Sequence, residues 1–135
     1  MRVFVDTNII ISAILFPNGK VAKVFSNLLE KHTVIISSYA KDECLEVFQK
    51  KFPNKVEQIK IFFDGISYEE FVTPTSINEA EYPKIRDIKD LPILVSAILS
   101  DSDILLTGDK DFEEIKIDKP LIFSPANYYK LIKWE

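Results

Sequence analysis

M-R-V-F-V-D-T-N-I-I-I-S-A-I-L, residues 1–15, decides the architecture. The run Val3–Val5 is short, β-prone and flanked by polar residues, as in a strand buried on both faces. Asp6 ends that run, and Thr7 or Asn8 is placed to cap a helix from Asn8 to about Leu15. A carboxylate directly after a buried strand is costly unless it caps a helix, pairs or binds a cation.

The same alternation continues outward. Phe16-Pro17-Asn18-Gly19 reads as a turn. Lys20–Glu30 carries Val21, Val24, Phe25 and Leu28 at helical spacing. Thr33–Ile36 reads as a second strand, and Ser37 or Ser38 caps a helix to about Lys51 with Cys44, Val47 and Phe48 inward. Pro53-Asn54 breaks it, and a further helix runs from about Lys55 to Gly65. Phe71–Thr73 reads as a brief third strand. Residues 76–89 have no clear period: a helical turn or two, then a loop. Asp90 caps the most apolar helix, with Pro92 in its first turn, where a missing N–H does no harm. Ile104–Thr107 and Leu121–Phe123 read as strands four and five, and Pro125 opens a last helix.

Apolar strands alternating with amphipathic helices imply an α/β fold, a parallel sheet covered by helices on both faces. Right-handed crossovers gather the strand ends on one edge, where such sheets bind ligands. Asp6 and Asp109 end strands one and four at that edge. Asp90 opens a helix that starts there, and Glu43 lies about 8 Å down the helix after strand two. Each has an ordinary explanation as well: Asp6 and Asp90 as caps, Asp109 as a turn residue, Glu43 as a solvated helix charge. Crowded carboxylates repel one another, and a divalent cation is the usual remedy.

Hard oxygen donors select Mg²⁺ or Mn²⁺. With one histidine and one cysteine, neither a multi-His nor a multi-Cys zinc site can be built. His32 sits at a helix end, where a cation suits the dipole. There is no G-x-S-x-G, and no glycine-rich phosphate loop among only three scattered glycines. Metal-assisted phosphoryl transfer to water is the chemistry left, with one or two ions.

The chain of 135 residues, 47% hydrophobic, is sized for one domain over 1–135. No apolar run is long enough to span a bilayer and the start does not resemble a signal peptide, so a cytoplasmic protein without a membrane partner is expected. Cys44, in an apolar setting, reads as a core thiol. A net charge of −4, with two arginines, excludes broad phosphate-based binding to duplex DNA. Any nucleic-acid contact is expected to be local or metal-assisted.

The ordered segments V-F-V-D-T-N, S-S-Y-A-K-D-E-C, R-D-I-K-D-L-P-I-L-V-S-A and I-L-L-T-G-D-K-D-F resemble those of PIN-domain proteins from Met1 to about Tyr129. The ending S-P-A-N-Y resembles S-P-x-x-F of a subgroup of toxins from prokaryotic toxin–antitoxin pairs. The resemblance implies a three-layer α/β/α fold with a parallel sheet of about five strands and a metal-dependent endoribonuclease acting on RNA. It implies that Asp6, Glu43, Asp90 and Asp109 hold Mg²⁺ or Mn²⁺, with Asp111 a fifth ligand or a neighbour of the ligands. Asp87 matches a second acidic position, and Asn8 and Thr107 match polar positions that orient the carboxylates or water. Arg86 and Lys110 flank the cleft, touching phosphate or simply solvated. An antitoxin protein and a homodimer are the implied partners, with Tyr128, Tyr129 and Trp134 either contributing to a dimer or, for the tyrosines, lying in the core.

Three other readings compete. A PIN-like module that has lost catalysis and only binds RNA or protein is disfavoured by the intact acidic set. A receiver-like switch needs adjacent acids after strand one and an acceptor near Phe71–Thr73, and neither is present. A phosphate-monoester hydrolase lacks the second Asp of D-x-D, since Asn8 stands there.

Overall fold

The computed structural model describes residues 1–132. Five strands, β1 (Arg2–Val5), β2 (Thr33–Ser37), β3 (Glu69–Phe71), β4 (Ile104–Leu106) and β5 (Leu121–Phe123), form one sheet. Their order is β3-β2-β1-β4-β5, and every pair is parallel. Helices α1 (Thr7–Leu15), α2 (Lys20–Lys31), α3 (Ser38–Lys51), α4 (Val56–Asp64), α5 (Leu91–Leu99) and α6 (Pro125–Ile132) make the connections.

Val3, Phe4 and Val5 are all fully buried. Successive strand residues point to opposite faces, so burial of all three means that both faces of β1 are covered. This is the three-layer arrangement the continuous apolar runs predict. Phe4, Phe25, Phe48 and Phe112 are the largest fully buried side chains of the core that these layers enclose. Cys44 is in it, as expected: burial pushes its thiol up to about 12, with help from the charges of Glu43 and Asp6. No single described helix is long and apolar enough to cross a membrane.

The strand order reverses at β1. The chain moves outward through β2 and β3, then returns to the other side of β1 as β4, so the β1/β4 carboxyl ends form the switch point. Asp6 follows β1 and its N–H is bonded to the Leu106 carbonyl at 3.0 Å. Thr107 follows β4 and is bonded in the same way to Phe123 at 3.0 Å.

Several boundaries differ from the sequence expectation. Asp6, not Thr7 or Asn8, is the N-cap of α1. Of the two serines expected to cap α3 it is Ser37 that does so, accepting from Ala40 N–H at 3.1 Å. β3 lies two residues earlier than expected. It is an edge strand paired only with β2, and its glutamates are neutralised from outside, Glu69 by Arg2 and Glu70 by Lys41. Thr73 has left the ladder, donating its N–H to Ser38 Oγ at 3.0 Å. The weakly patterned stretch 76–89 contains a 3-10 turn at Glu79–Glu81, and a second, Ile88–Asp90, leads into α5.

Tyr128 takes the core alternative: it is 3% exposed and its hydroxyl bonds Asn27 Oδ1 at 2.9 Å, tying α6 to α2. His32 ends α2, within hydrogen-bond reach of the amino terminus at 3.2 Å. Trp134 lies outside the described residues.

Candidate metal centre

Asp6 is 6% exposed, and each of its carboxylate oxygens accepts a hydrogen bond. Oδ1 accepts the Thr7 N–H at 2.7 Å and Oδ2 accepts the Thr107 hydroxyl at 2.7 Å. The first bond is the helix cap and the second comes from the neighbouring strand end, so Asp6 is fixed by both sides of the switch point. The Thr7 hydroxyl donates to Glu43 Oε1 at 2.7 Å. Thr107 Oγ1 also accepts the Asp109 N–H at 3.1 Å, and Asp109 Oδ1 accepts the Asp111 N–H at 2.9 Å. Hydrogen bonds therefore link Glu43, Thr7, Asp6, Thr107, Asp109 and Asp111 in one chain across three elements.

Among the described residues, Asp90, Asp109 and Asp111 offer carboxylate oxygens that lie within 4.8 Å of one another. Asp6 and Glu43 stand beside this trio: Asp109 and Glu43 act on Asp6, and Asp6 acts on Asp90, as like charges. Asp111 is thus as central as the acids legible from strand ends. It arrives because Asp109 caps the 3-10 turn Lys110–Phe112 and Phe112 is buried, which holds the turn against the core.

Asp90 is the most telling member. The sequence offers an N-cap role, but its backbone is helical (φ −86°, ψ −10°) and its side chain makes no capping bond. Asp87 does that work one turn earlier, accepting the Lys89 N–H at 3.0 Å. Asp90 is therefore left facing other carboxylates. Burial, then the charge of Asp109 and a hydrogen bond shared with it, push its carboxyl up to about 7. Burial also pushes Asp6 up to about 6, against the lowering effect of the Thr107 and Thr7 bonds. Glu43 is raised, first by burial.

The set fits a divalent cation by its own chemistry. All donors are hard carboxylate oxygens, they converge, and they raise one another's affinity for positive charge. The one guanidinium close by is loosely held: Arg86 Nη1 is 3.7 Å from Asp111 Oδ1 and its side chain is 83% exposed. Lys110 is exposed beside the trio. Asn8 is exposed and joins none of the hydrogen bonds that link the carboxylates. Thr7, read from sequence only as a possible cap, instead divides its N–H and hydroxyl between two acids. The signal was present in D-T-N: the residue after a strand-end Asp starts a helix whose first turn faces the same edge.

Thr107→Val keeps the volume and removes both roles of the hydroxyl. The Asp6 carboxyl is expected to rise above about 6, since a bond that favours its charged form is gone. Carbonyl-detected NMR titration of Asp6 reads this directly; an unchanged midpoint contradicts the role assigned to Thr107.

A family model described as PIN domain matches residues 2–111. Among solved structures, the fold is similar to a chain in the crystal structure of VapBC2 from Rickettsia felis bound to a DNA fragment from their promoter. That likeness has 21% identity and a TM-score of 0.69, over 92% of this chain and 98% of the other. No curated protein matches the chain.

Proposed function

This chain belongs to the PIN domain family, and from that premise we propose that it is a Mg²⁺- or Mn²⁺-dependent endoribonuclease. It hydrolyses RNA phosphodiester bonds and serves in the cytoplasm as the toxin of a toxin–antitoxin pair. The observation that carries the reading is the convergence of Asp90, Asp109 and Asp111 beside an immobilised Asp6. Asp90, Asp109 and Asp111 hold the cation, with Asp6 and Glu43 completing the acidic set. When bound, such an ion lowers the pKa of a water and offsets the charge developing on the phosphate.

The chain's own groups supply the rest. Thr7 and Thr107 hold Glu43 and Asp6 in fixed orientations, so their oxygens accept hydrogens of the attacking water and turn its lone pair toward phosphorus. Burial at the switch point keeps bulk water from competing for the Asp6 oxygens. Arg86, already poised over Asp111 and mostly in solvent, is free to swing onto a phosphate oxygen, and Lys110 stands on the same rim.

The toxin role is supported by the S-P-A-N-Y ending and by the fold shared with a chain of VapBC2. It implies a neutralising antitoxin, and a homodimer is the proposed assembly. The enzymatic reading is tested by incubating single-stranded RNA with the protein and Mn²⁺ and mapping the ends. Internal cleavage leaving a phosphate on one side, abolished by EDTA and restored by excess Mn²⁺, is expected. Cleavage indifferent to EDTA would remove the metal from the mechanism.

A further inference from the structure

The chain carries a net charge of −4, yet one of its faces is basic. Helices α2 and α6 pack together and carry Lys20, Lys23 and Lys130, with Glu30 and Lys31 at the far end of α2. Lys20, Lys23 and Lys130 are exposed. The two helices are locked to each other by the Tyr128–Asn27 bond at 2.9 Å, so this face is built rather than loose.

Its upper end opens into a cavity of about 480 Å³ walled by Lys20, Val21, Ser124, Pro125, Tyr129 and Lys130, among others, with no acid among the described residues of its wall. Lys20 Nζ lies 5.4 Å from the centre of the half-buried Tyr129 ring. Ser124 is shared with a second cavity, of about 290 Å³, which Thr107 and Asn127 also line and where Glu113 is the one acid among the described residues. Thr107 is the residue whose hydroxyl holds Asp6. Ser124 therefore borders both cavities, and Thr107 borders the one nearer the acidic centre. Leu106 and Phe123 are register partners, so Thr107 and Ser124 extend adjacent strands about 4.8 Å apart.

We propose that this β5–α6 corner is a backbone-binding subsite for single-stranded RNA, in which Lys20 and Lys130 contact phosphates flanking the scissile one and the Tyr129 ring takes a base. The assignment rests on the ribonuclease reading above and names how its substrate is held. A polyanion is repelled by the acidic remainder of the surface, so a local cluster of lysines beside an aromatic ring is the combination that retains it. Lysines supply phosphate contacts without base selectivity, and an aromatic face stacks on any base. The corner thus predicts a strand-tracking contact indifferent to sequence.

The test is fluorescence anisotropy of a short fluorescein-labelled oligouridylate with Ca²⁺ present, across a salt series. Wild type is compared with Lys20→Gln/Lys130→Gln and with the control Lys55→Gln/Lys60→Gln. The corner pair is expected to weaken binding about tenfold or more at low salt and to flatten the salt slope by about 1.4, two phosphates' worth for a single strand. The control is expected to bind as wild type does. Tyr129→Ala is expected to weaken binding about tenfold, and Tyr129→Phe to retain it. Melting curves matching wild type exclude misfolding of the lysine variants. Unchanged affinity and slope in the corner pair, an equal loss in the control, or a wild type that binds no oligouridylate overturns the subsite. Unchanged RNA binding beside intact Mn²⁺-dependent cleavage would leave the nuclease standing and give the face to a protein partner.

Discussion

Asp90→Asn is expected to cut RNA hydrolysis by roughly a thousandfold or more while leaving the fold intact. Asp90 sits where the 3-10 turn Ile88–Asp90 passes into α5, with helical backbone and no capping bond for the substitution to break. The amide is nearly isosteric, so what is lost is charge. Loss of a ligand from a catalytic cation forfeits several kcal/mol of transition-state stabilisation, and each 1.36 kcal/mol or so is a factor of ten. In the metal-free protein the same change removes a like charge from Asp109 and Asp6, so the melting temperature at neutral pH is expected to hold or rise. The check is turnover under saturating RNA with Mn²⁺, beside a chelated melt. A variant that cleaves like wild type would return Asp90 to the role of an ordinary helix-end charge.

The second large effect is a stability profile that slopes the unusual way for a protein rich in acids. The carboxyl of Asp6 is raised from 3.8 to about 6 in the folded state, mainly by burial. A raised carboxyl means the folded protein binds the proton more tightly than the unfolded chain does. Stability from this group is therefore fully present below about pH 4 and is lost as pH climbs through about 6. For Asp6 alone the loss is on the order of 3 kcal/mol. Asp90, raised to about 7, extends the decline toward neutrality, and Glu43, also raised, acts in the same direction. The lowered carboxyls of Glu69 and Asp103 act oppositely, but they are surface groups screened by solvent. Urea unfolding with chelator is thus expected to give a higher midpoint at pH 5 than at pH 7.5. Saturating Mn²⁺ should reverse that order, because the ion favours the ionised forms and stabilises only the folded state. Asp6→Asn should flatten the metal-free slope. A metal-free midpoint that rises steadily from pH 5 to 7.5 would mean these carboxylates are not crowded.

The strands of the interior were legible because burial on both faces demands uninterrupted apolar residues, as in V-F-V, V-I-I and I-L-L. Direction followed from the helices between them, and direction placed Asp6 and Asp109 on one edge. The edge strand was misplaced by two residues because Glu69 and Glu70 look unlike a strand until Arg2 and Lys41, remote in sequence, are seen to pair with them. Asp90 stood out in sequence, but whether it capped its helix or faced the cleft was a matter of backbone angles that composition does not carry. Thr7 and Asn8 show the same limit from the other side. Both are polar neighbours of Asp6, yet only the helix phase decides that Thr7 turns inward to Glu43 while Asn8 turns to solvent. The weight of Asp111 depends on a 3-10 turn of one step, too short to leave a periodic trace.

The proposed function turns on a divalent ion held among acids that follow β1, lie on α3, precede α5 and follow β4. Calorimetric titration of Mn²⁺ into the chelated protein near pH 6.5, repeated in two buffers of different ionisation enthalpy, measures both uptake and the protons it displaces. Saturable binding with net proton release is predicted, because carboxyls raised to about 6 and about 7 are part-protonated there. Asp109→Asn is predicted to abolish both signals. Absence of saturable heat in wild type, or identical uptake by Asp109→Asn, would contradict the account.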